Sequence, residues 1–505
     1  MHNRLNNDLK IAKGKMGDKM YSDLQQNILE LKKLLSNSAD FTVRTIKLNN
    51  DSKTSCAIFT TEGMCDKESL AIYVLNPLLN AEYGDINRKK LFDYIYDKVL
   101  SASEITLITS FSEVITFSMS GFAIVAIDGY KEMVAIGAQG FSFRGVSEPE
   151  SEVVQRGSRE GFTEALRINM TLVRRRMKNP NLVFETMTLG TESNTQICLC
   201  YIKNTATKSS VSELRERLNN CNLKTLLGSG YLVPYLEDSG KNEVFTGVGV
   251  TERPDSLCGK MLEGRIGILI DGTPCALVIP HLFVENFQSF DDYSNRPYFA
   301  TIIRLLKYFS YILAILTPAV YIAFVNFHPD YFPKALYKNI QESIKDTPLP
   351  LILEILLITF IYEVMREAGL RLPKALGHAV SIVGALVIGD CAINAGIIGA
   401  PTLMAVAVSA ICSYVVPDLY PQITVLRLSF IVAGGIMGVW GIVLLSTIVI
   451  ISMCSKSSLG VAYMSPLIPF NKRSIGDIFV RFGWKKLSKN SINVQSLNGG
   501  SVYEE

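Results

Sequence analysis

Acidic side chains occur inside apolar stretches in the last third of this 505-residue chain. Glu354 lies within the apolar segment 348–362, Asp390 follows the segment 375–389, and Asn394 comes four residues later. A charged side chain at membrane depth is costly, and it commonly pairs with another polar group or lies along an ion pathway. Glu354 is therefore a candidate intramembrane functional site, and Asp390 and Asn394 are candidates for the lining of a pore or gate, although a buried structural polar group would give the same pattern.

A cluster of charges follows the second apolar segment, at Glu363, Arg366, Glu367 and Arg371. Glu363 and Glu367 are four residues apart on a predicted helix, where like charges destabilise, and Arg366 could neutralise them in part. Two interpretations are open. The cluster is a coupling elbow that moves with a gate, or it is a solvated helix end at the membrane surface.

The third apolar segment has two distinct faces at helical spacing. One face carries small residues, which permit close helix packing in lipid: Ser381, Ala385 and Gly389. The opposite face carries Val380, Val383 and Val387. If copies of this helix surround an axis, these valines would form an apolar constriction that gates by dewetting; otherwise they face lipid. In the fifth segment, Gly434 and Gly438 form a GxxxG motif, for which we expect a role in helix packing.

Residue types that carry enzyme chemistry do not form a recognisable set. The sequence has no Walker loop and no GxGxxG after a strand, its four histidines are far apart, and its ten cysteines include no CxxC pair. Asp128 and Asp271 each precede a glycine, which predicts type I′ hairpin turns. The net charge of +3 gives no reason to expect nucleic acid, and Arg174, Arg175 and Arg176 predict one solvated side of a helix. We expect no enzyme, no cofactor and no bound metal.

The elements that must position these residues change in character near residue 300. Residues 391–417 and 428–455 contain no Lys, Arg, Asp or Glu, and about 20 apolar residues are enough to cross a bilayer as a helix. Five apolar segments can be drawn: 308–327, 348–362, 375–389, 396–416 and 428–453. The sequence therefore predicts a soluble part followed by an α-helical polytopic membrane domain.

Basic stretches at 304–307, 366–374 and 472–489 should share the cytoplasmic side of the membrane. Five full crossings would separate them, which favours four spans plus one half-span or re-entrant segment between 375 and 395. Five crossings with a basic external tail are the alternative. The first 30 residues contain no apolar signal-peptide core, so the soluble part is expected to stay in the cytoplasm.

Helix and strand patterns alternate before residue 295, which indicates an α/β or α+β fold in two lobes. The expected organisation has five parts. They are a disordered or helical N-terminal arm (1–36), soluble lobe 1 (37–150), soluble lobe 2 (151–295), the transmembrane domain (296–470) and a basic cytoplasmic tail (471–505).

Four ungapped stretches carry a longer pattern than any of these motifs. They are residues 156–182, residues 251–293, residues 327–333 (FHPDYFP) and residues 366–389 (REAGLRLPKALGHAVSIVGALVIG). Together they resemble the A-type subunit of the GerA family of endospore germinant receptors, over residues 120–470 of this chain. The sequence departs from the family pattern at residues 389–396, GDCAINAG, where Asp390 and Cys391 replace small or neutral residues. Any role of Asp390 would therefore be local to this chain.

The resemblance implies a function and a set of partners. Similar A subunits lie in the inner membrane of the spore, beside a transporter-like B subunit that binds the nutrient and a C-type lipoprotein. It also implies a homo-oligomer, expected to be a pentamer, that forms a nutrient-gated channel for monovalent cations within the membrane lipid. Opening of that channel would trigger spore germination.

Other functions compete with the receptor channel. A secondary transporter predicts inverted repeats and a substrate site at the membrane midplane, and the sequence shows no convincing internal repeat. A membrane-anchored enzyme or scaffold would need a catalytic set before residue 295. Within the same family, an accessory A-like protein without its own nutrient sensor would share these sequence features, and neighbouring B and C genes would favour the receptor.

Overall fold

The structure is a computed structural model that describes residues 20–48, 54–83, 88–140, 148–149, 151–238, 243–331, 333–345, 347–372, 389–470, 477–487 and 494. Its N-terminal part contains two antiparallel five-stranded sheets, and its C-terminal part is helical. The predicted order of a sheet-containing domain followed by a helical region is therefore confirmed. Antiparallel pairing throughout both sheets makes the first part α+β.

Lobe 1 is a sheet with helices on both faces. Its elements are α1 (Leu24–Leu34), β1 (Phe41–Lys47), β2 (Ser55–Thr61), α2 (Lys67–Leu70), a π-helical segment Ala71–Leu75, α3 (Asn76–Asn80), α4 (Arg88–Tyr94), a second π-helical segment Ile95–Val99, β3 (Ile105–Ile108), α5 (Phe111–Ser118), β4 (Ala123–Ile127) and β5 (Met133–Ile136). The strand order is β1-β2-β4-β5-β3. α1 and α5 cover one face, and α3, α4 and the π-helical segments cover the other.

Helix α1 is part of lobe 1, whereas the sequence placed residues 1–36 in a separate arm. Leu24, Ile28 and Leu31 recur at helical spacing and are buried against the sheet. Burial of each such side chain contributes roughly 1.5–3 kcal/mol. The carboxylate of Asp23 accepts a hydrogen bond from the backbone N–H of Gln25 and caps the helix. The chain therefore enters the packed core well before residue 37.

Lobe 2 follows with the same kind of architecture. Its elements are α6 (Leu166–Arg176), β6 (Leu182–Leu189), β7 (Thr195–Ile202), α7 (Lys208–Asn219), a 3₁₀ turn Ser229–Tyr231, α8 (Val233–Leu236), β8 (Gly249–Thr251), α9 (Pro254–Leu262), β9 (Ile266–Ile270) and β10 (Ala276–Ile279). The strand order is β6-β7-β9-β10-β8. α6 and α9 cover one face, and α7 and α8 cover the other. Lobe 2 thus repeats the strand order of lobe 1 and the placement of its helices.

The repeat extends to side-chain contacts that the sequence does not reveal. Asn27 in α1 binds the backbone N–H and C=O of Tyr21 at 3.0 and 2.7 Å. Asn169, at the same position of α6, binds the backbone N–H and C=O of Thr163 at 2.8 and 2.5 Å. Each asparagine is buried and fixes the chain that enters its helix. The two lobes therefore share their strand order and this asparagine contact.

The two Asp-Gly pairs cap helices, and their type I′ assignment is wrong. A type I′ turn requires positive φ at both central residues, but only Gly129 and Gly272 have it, at +94° and +82°. Five residues separate the paired strands in each lobe. Asp128 accepts a hydrogen bond from the backbone N–H of Leu24 at 3.3 Å, and Asp271 accepts one from Leu166 at 3.0 Å. Each carboxylate lies at the positive end of the first helix of its lobe.

Arg174 joins the two lobes, which corrects the prediction of a solvated arginine face. Its residue is only 2% exposed. The guanidinium donates to both carboxylate oxygens of Asp40 at 2.7 and 2.9 Å and to the hydroxyl of Ser38 at 3.1 Å. It also lies 4.9 Å from the centre of the Phe184 ring. The neighbouring side chains Arg175 and Arg176 are half-buried and both pair with Glu160.

The helical region begins after lobe 2. Its elements are a 3₁₀ helix Phe283–Phe287, α10 (Phe290–Ser294), α11 (Pro297–Phe327), a 3₁₀ turn Pro329–Tyr331, α12 (Lys334–Lys345), α13 (Leu351–Arg371), α14 (Ala400–Tyr414), a 3₁₀ turn Pro417–Leu419, α15 (Tyr420–Ser455), the short strands β11 (Ser457–Ser458) and β12 (Val461–Ala462), and α16 (Trp484–Leu487). Among the residues that the structure describes, two stretches are long and apolar enough to cross a membrane, α11 and the span Pro417–Ser455. α14 is a shorter apolar helix.

Helix α15 reverses direction at Gly438. This residue has φ +60° and ψ −143°, a conformation that is not helical and that side chains disfavour. A Cβ on Gly441 would overlap the carbonyl oxygen of Ala433, whereas residues eight positions apart in a straight helix are about 12 Å apart. The predicted fifth segment, 428–453, therefore folds back on itself. We call residues 420–437 the first arm and residues 439–455 the second arm.

The helices share a near end, next to lobe 2, and a far end. At the near end Leu419, just before the first arm, packs in one cluster with Phe287, just after lobe 2. At the far end Phe327, the last residue of α11, contacts the position of Gly438. The second arm returns from Gly438 to Lys456, which pairs with acidic residues of lobe 2. Both ends of the helical region therefore lie at lobe 2.

Candidate functional site

The directions of three helices follow from polar contacts between them. Glu354 near the start of α13 contacts Gly399 at the start of α14, and Tyr362 further along α13 lies 3.5 Å from the hydroxyl of Ser413 near the end of α14. α13 and α14 therefore both run from the far end to the near end. α11 runs the opposite way, because Tyr321 late in α11 contacts Thr402 at the start of α14, and Ala314 earlier in α11 contacts Ser409 further along α14.

A buried ion pair connects α13 to the first arm of α15. Arg427 is 0% exposed, and its guanidinium pairs with the carboxylate of Glu363. Arg427 also donates to the hydroxyl of Ser409 on α14 at 3.3 Å and lies 5.3 Å from the ring centre of Tyr362. The hydroxyl of Tyr420 donates to the second oxygen of Glu363 at 2.6 Å. The helices α13 and α14 and the first arm of α15 thus meet at the Glu363–Arg427 pair, close to the near end.

The predicted elbow residues occupy three different environments. Glu363 is compensated by Arg427, a residue outside the predicted cluster, and Arg366 instead stacks 3.1 Å from the ring centre of Tyr420. Glu367 pairs with Arg371 one turn further along, at 2.6 Å, and both side chains are exposed. Only the first half of the elbow is therefore joined to neighbouring helices, while its second half is solvent-facing.

Glu354 lies at the opposite end of α13 from this ion pair. Its residue is 0% exposed, and its Oε1 accepts a hydrogen bond from the backbone N–H of Gly399 at 2.7 Å. Its Oε2 is buried and makes no hydrogen bond to any residue that the structure describes. Glu354 is therefore a buried carboxylate that is only half satisfied.

The remaining predicted site residues lie at exposed positions, beside α14, or outside the residues that the structure describes. Asp390 and Asn394 lie on a helical stretch, residues 389–394, and both are exposed. Gly389 is buried beside Leu403 of α14, where an added Cβ would lie 3.3 Å from Cδ2. The other predictions for the third segment lie outside the described residues: Val380, Ser381, Val383, Ala385 and Val387.

The two glycines of the GxxxG motif have different surroundings. A Cβ on Gly434 would lie 2.8 Å from the carbonyl oxygen of Ala319, so the first arm approaches the backbone of α11 closely at this point. Gly438 supplies the reversal of α15, and a Cβ there would lie 2.9 Å from the ring of Phe327. Close approach therefore depends on Gly434, whereas chain direction depends on Gly438.

Buried ion pairs attach both ends of the helical region to lobe 2 and its surroundings. Arg304, in the second turn of α11, is fully buried and donates to Asp292 at 2.6 Å and to Asp477 at 3.0 Å. Lys456, which follows the second arm, donates to Glu243 at 2.6 Å. A charge buried with a partner in good geometry resists separation, because either partner alone would be buried uncompensated. Displacement of Asp292, Asp477 or Glu243 should therefore shift the near end of α11 or of the second arm.

A third charge cluster lies where lobe 2 meets this junction. Glu285, in the 3₁₀ helix before α11, accepts from Arg265 at 2.8 Å and from Lys260 at 3.1 Å. Burial alone would raise the pKa of Glu285, but the positive charges of Arg265 and Lys260 outweigh it and hold the pKa well below its usual range. Glu285 is therefore a fixed negative charge at neutral pH.

Sequence reasoning missed Arg427, although a signal for it was present. The sequence analysis began the fifth segment at residue 428, one residue after this arginine. Along the first arm, Tyr420, Ile423, Arg427, Phe430 and Ile431 recur at helical spacing, and all are buried. An arginine on the apolar face of such a helix requires an acidic partner. The search for that partner would have led to Glu363.

Comparisons with known proteins agree along almost the whole chain. The profile of the family described as Bacillus/Clostridium GerA spore germination protein matches residues 29–492. The chain is 36% identical to spore germination protein KA of Bacillus subtilis (strain 168), over 91% of this chain and 85% of that protein. It is 33% identical to spore germination protein B1 of the same organism, over 91% of this chain and 95% of that protein.

A solved structure also matches the N-terminal part. It is the crystal structure of the N-terminal domain of the A subunit of the Bacillus megaterium spore germinant receptor GerK3, which is 27% identical, with 53% of this chain and 99% of that chain covered and a TM-score of 0.41. The family profile and the long relatives carry the assignment by themselves. On these matches, the chain belongs to the GerA family of spore germination proteins.

Proposed function

We propose that this chain is the A-type subunit of a nutrient germinant receptor and forms, as a homo-oligomer, a nutrient-gated channel for monovalent cations in the inner spore membrane. The observation that carries the proposal is the family match over residues 29–492. In this assembly a transporter-like B-type subunit binds the nutrient and a C-type lipoprotein completes the receptor. A pentamer is the proposed homo-oligomer.

The proposed topology has an even number of membrane crossings. Both ends of the helical region lie at lobe 2, which favours an even count. Because α15 folds back at Gly438, its two arms count as two passes of about 26 Å each. α13 ends towards the near end, and Gly389 lies beside the start of α14 at the far end. The described helices α11, α13 and α14 and the two arms of α15 make five passes, and an even count requires one more. We propose six passes in place of four spans with a re-entrant segment.

Gating would use the attachments of the long helices. Asp292 of α10 and Asp477 hold the near end of α11 through Arg304, and lobe 2 holds the near end of the second arm through Lys456. The Glu363–Arg427 pair joins α13 to the first arm at the same end. α13 leads directly into residues 373–388, where Val380, Val383 and Val387 are the proposed constriction. A nutrient-induced shift of the partner subunits would reach that constriction through lobe 2 and α13.

The test is cation release from liposomes or cells that carry this chain with its B-type and C-type partners. Wild type should release potassium or sodium only after nutrient is added. Val383→Ala should leak without nutrient, because a smaller side chain weakens an apolar barrier to ions. Val443→Ala, at an exposed position of the second arm, is the matched control and should behave like wild type.

Absence of cation release would contradict the proposed channel. If neither wild type nor Val383→Ala conducts, with assembly confirmed by co-purification, the channel proposal fails. The chain would then act as an accessory germination protein or a scaffold. A leak in Val443→Ala as large as in Val383→Ala would place the barrier elsewhere.

A further inference from the structure

The start of helix α11 carries an exposed apolar stripe. Large apolar side chains recur along one face at alternating spacings of four and three residues, and each residue is 49–65% exposed: Tyr298, Ile302, Leu305, Phe309 and Ile312. We call these five residues the α11 stripe. Such spacing is that of the seam by which one helix packs against another.

The opposite face of the same part of α11 is held by the rest of the chain. Ala300 and Arg304 are buried, and Arg304 pairs with Asp292 and Asp477. Because successive residues of a helix are about 100° apart, Ile302 lies about 160° round the helix from Arg304. The buried ion pairs therefore fix which face of α11 is turned inwards, and the α11 stripe is turned outwards.

The α11 stripe begins outside the hydrocarbon core of the membrane. α11 has 31 residues and is about 46 Å long, whereas the core is about 30 Å thick. A tilt of about 50° would be needed to immerse the whole helix, which is beyond the usual range of about 0–40°. Asp418, in the turn between α14 and α15, interacts electrostatically with Lys307 and marks the near surface of the membrane. Residues 297–306 therefore extend about 15 Å beyond that surface.

The composition of the α11 stripe indicates what covers it. A helix face outside the hydrocarbon is normally polar, but the stripe carries no charge, and lipid chains do not reach its first three residues. Permanent interfaces between identical chains are apolar, and their cores are rich in aromatic residues. In a closed ring every copy presents the same surface to its neighbour, so contact between copies covers the stripe of each chain.

We propose that the α11 stripe packs against a neighbouring copy of this chain, beginning just outside the near surface of the membrane. This inference rests on the homo-oligomer proposed above and assigns a contact surface to it. Because Arg304 belongs to the same helical turns as the stripe, a shift of Asp292 or Asp477 would move the stripe as well. The contact would then pass movement from one copy to the next. The competing occupants are the membrane surface and the B-type subunit.

Photochemical cross-linking identifies the occupant. The photoreactive amino acid benzoylphenylalanine is placed at position 302 of the full-length chain, and two differently tagged copies are expressed together with the B-type and C-type partners. Light should produce an adduct that carries both tags. Position 448 is the matched control, because Ile448 of the second arm is exposed to a similar extent, at 53%, but lies between the two membrane surfaces. It should give lipid adducts and little adduct with both tags.

A double substitution tests whether the stripe holds the copies together. Ile302→Ala with Leu305→Ala should weaken assembly in mild detergent by about tenfold or more, measured by light scattering after size exclusion, because truncation of packed interface residues has effects of this size. Ile448→Ala with Ile451→Ala truncates two exposed residues at the same spacing and should leave assembly unchanged. The cross-linking result stands by itself if the first double variant folds poorly.

Several outcomes would overturn the proposal. Adducts at position 302 with lipid alone would place the stripe in the membrane, and adducts with the B-type subunit alone would make it a surface for that partner. Equal adducts with both tags at positions 302 and 448 would show that the stripe is not a specific contact. Cation release by wild type without such an adduct at position 302 would refute the stripe and keep the channel. An adduct with both tags at position 302 alone, without cation release by wild type, would keep the stripe and refute the channel.

Discussion

Arg427 and Glu363 are 64 residues apart in the sequence and form an ion pair between the first arm of α15 and α13. The arginine side chain is completely buried, and the glutamate side chain is 22% exposed. The pair therefore holds two apolar helices in register at a point where lipid or neighbouring protein would otherwise separate them. Its energetic role can be tested directly.

Glu363→Gln should destabilise the full-length chain by about 3–5 kcal/mol, because it leaves Arg427 buried without a counter-charge. The double variant Glu363→Gln, Arg427→Gln should recover most of that loss. Thermal unfolding in detergent is the measurement. Glu367→Gln, which breaks an exposed pair with Arg371, is the control and should change stability by less than about 0.5 kcal/mol. Equal effects of Glu363→Gln and Glu367→Gln would show that the buried pair is not important for stability.

The contact between the lobes should be equally sensitive. Asp40→Asn removes the charge that compensates Arg174, and we expect a loss of about 3–5 kcal/mol together with faster hydrogen exchange where Ser38 and Phe184 join the lobes. Arg159→Gln disrupts an exposed pair with Glu148 and should leave exchange unchanged. Unchanged exchange in Asp40→Asn would mean that the lobes are held together by other contacts.

Gly438→Ala should disturb the reversal of α15. Backbone strain at its positive φ costs about 1–3 kcal/mol, and the added methyl group would also press on the ring of Phe327. Cysteine accessibility at the end of the second arm should then change, because that arm no longer returns to lobe 2. Gly460 has a similar positive φ of +75°, but an added Cβ there would meet open space. Gly460→Ala therefore measures the cost of backbone strain without a steric contact. If both variants keep the wild-type accessibility pattern, the reversal does not depend on glycine.

The charge cluster around Glu285 predicts a specific dependence on pH. The pKa of this glutamate is held well below its usual value in the folded state, despite burial, by Arg265 and Lys260. Its stabilising contribution is therefore complete above the unfolded pKa of about 4.3 and is lost as pH falls further towards the folded value. Glu285→Gln should lower stability at pH 7 and flatten the decline below about pH 4.3. Parallel curves for the two proteins would exclude Glu285 as a source of the acid sensitivity.

Sequence patterns predicted secondary structure better than they predicted which residues contact each other in the fold. Helical spacing at Leu24, Ile28 and Leu31 and the Asp-Gly pairs correctly marked a helix and two hairpin regions. The same Asp-Gly pairs gave no sign that their carboxylates cap a helix more than 100 residues away. Such contacts depend on topology, and no local pattern encodes them.

For the charged residues too, the sequence identified unusual positions but not the groups that contact them. Composition identified Glu354 and Glu363 as unusual, because charges are rare in apolar segments. Their partners, the backbone of Gly399 and the side chain of Arg427, come from helices later in the chain. Arg174 was assigned to a solvated face because a run of three arginines is normally exposed. Its burial follows from Asp40, which reaches it from the other lobe.

The chain returns to lobe 2 after the second arm, so the helical region begins and ends at the same lobe. Lys456 meets Glu237 and Glu243, residues synthesised more than 200 positions earlier, and Leu459 binds Asp238. A chain that stops before residue 456 lacks these contacts, however well its earlier parts have folded. This part of lobe 2 is therefore completed only when the last segment of the chain has been synthesised and has packed against it.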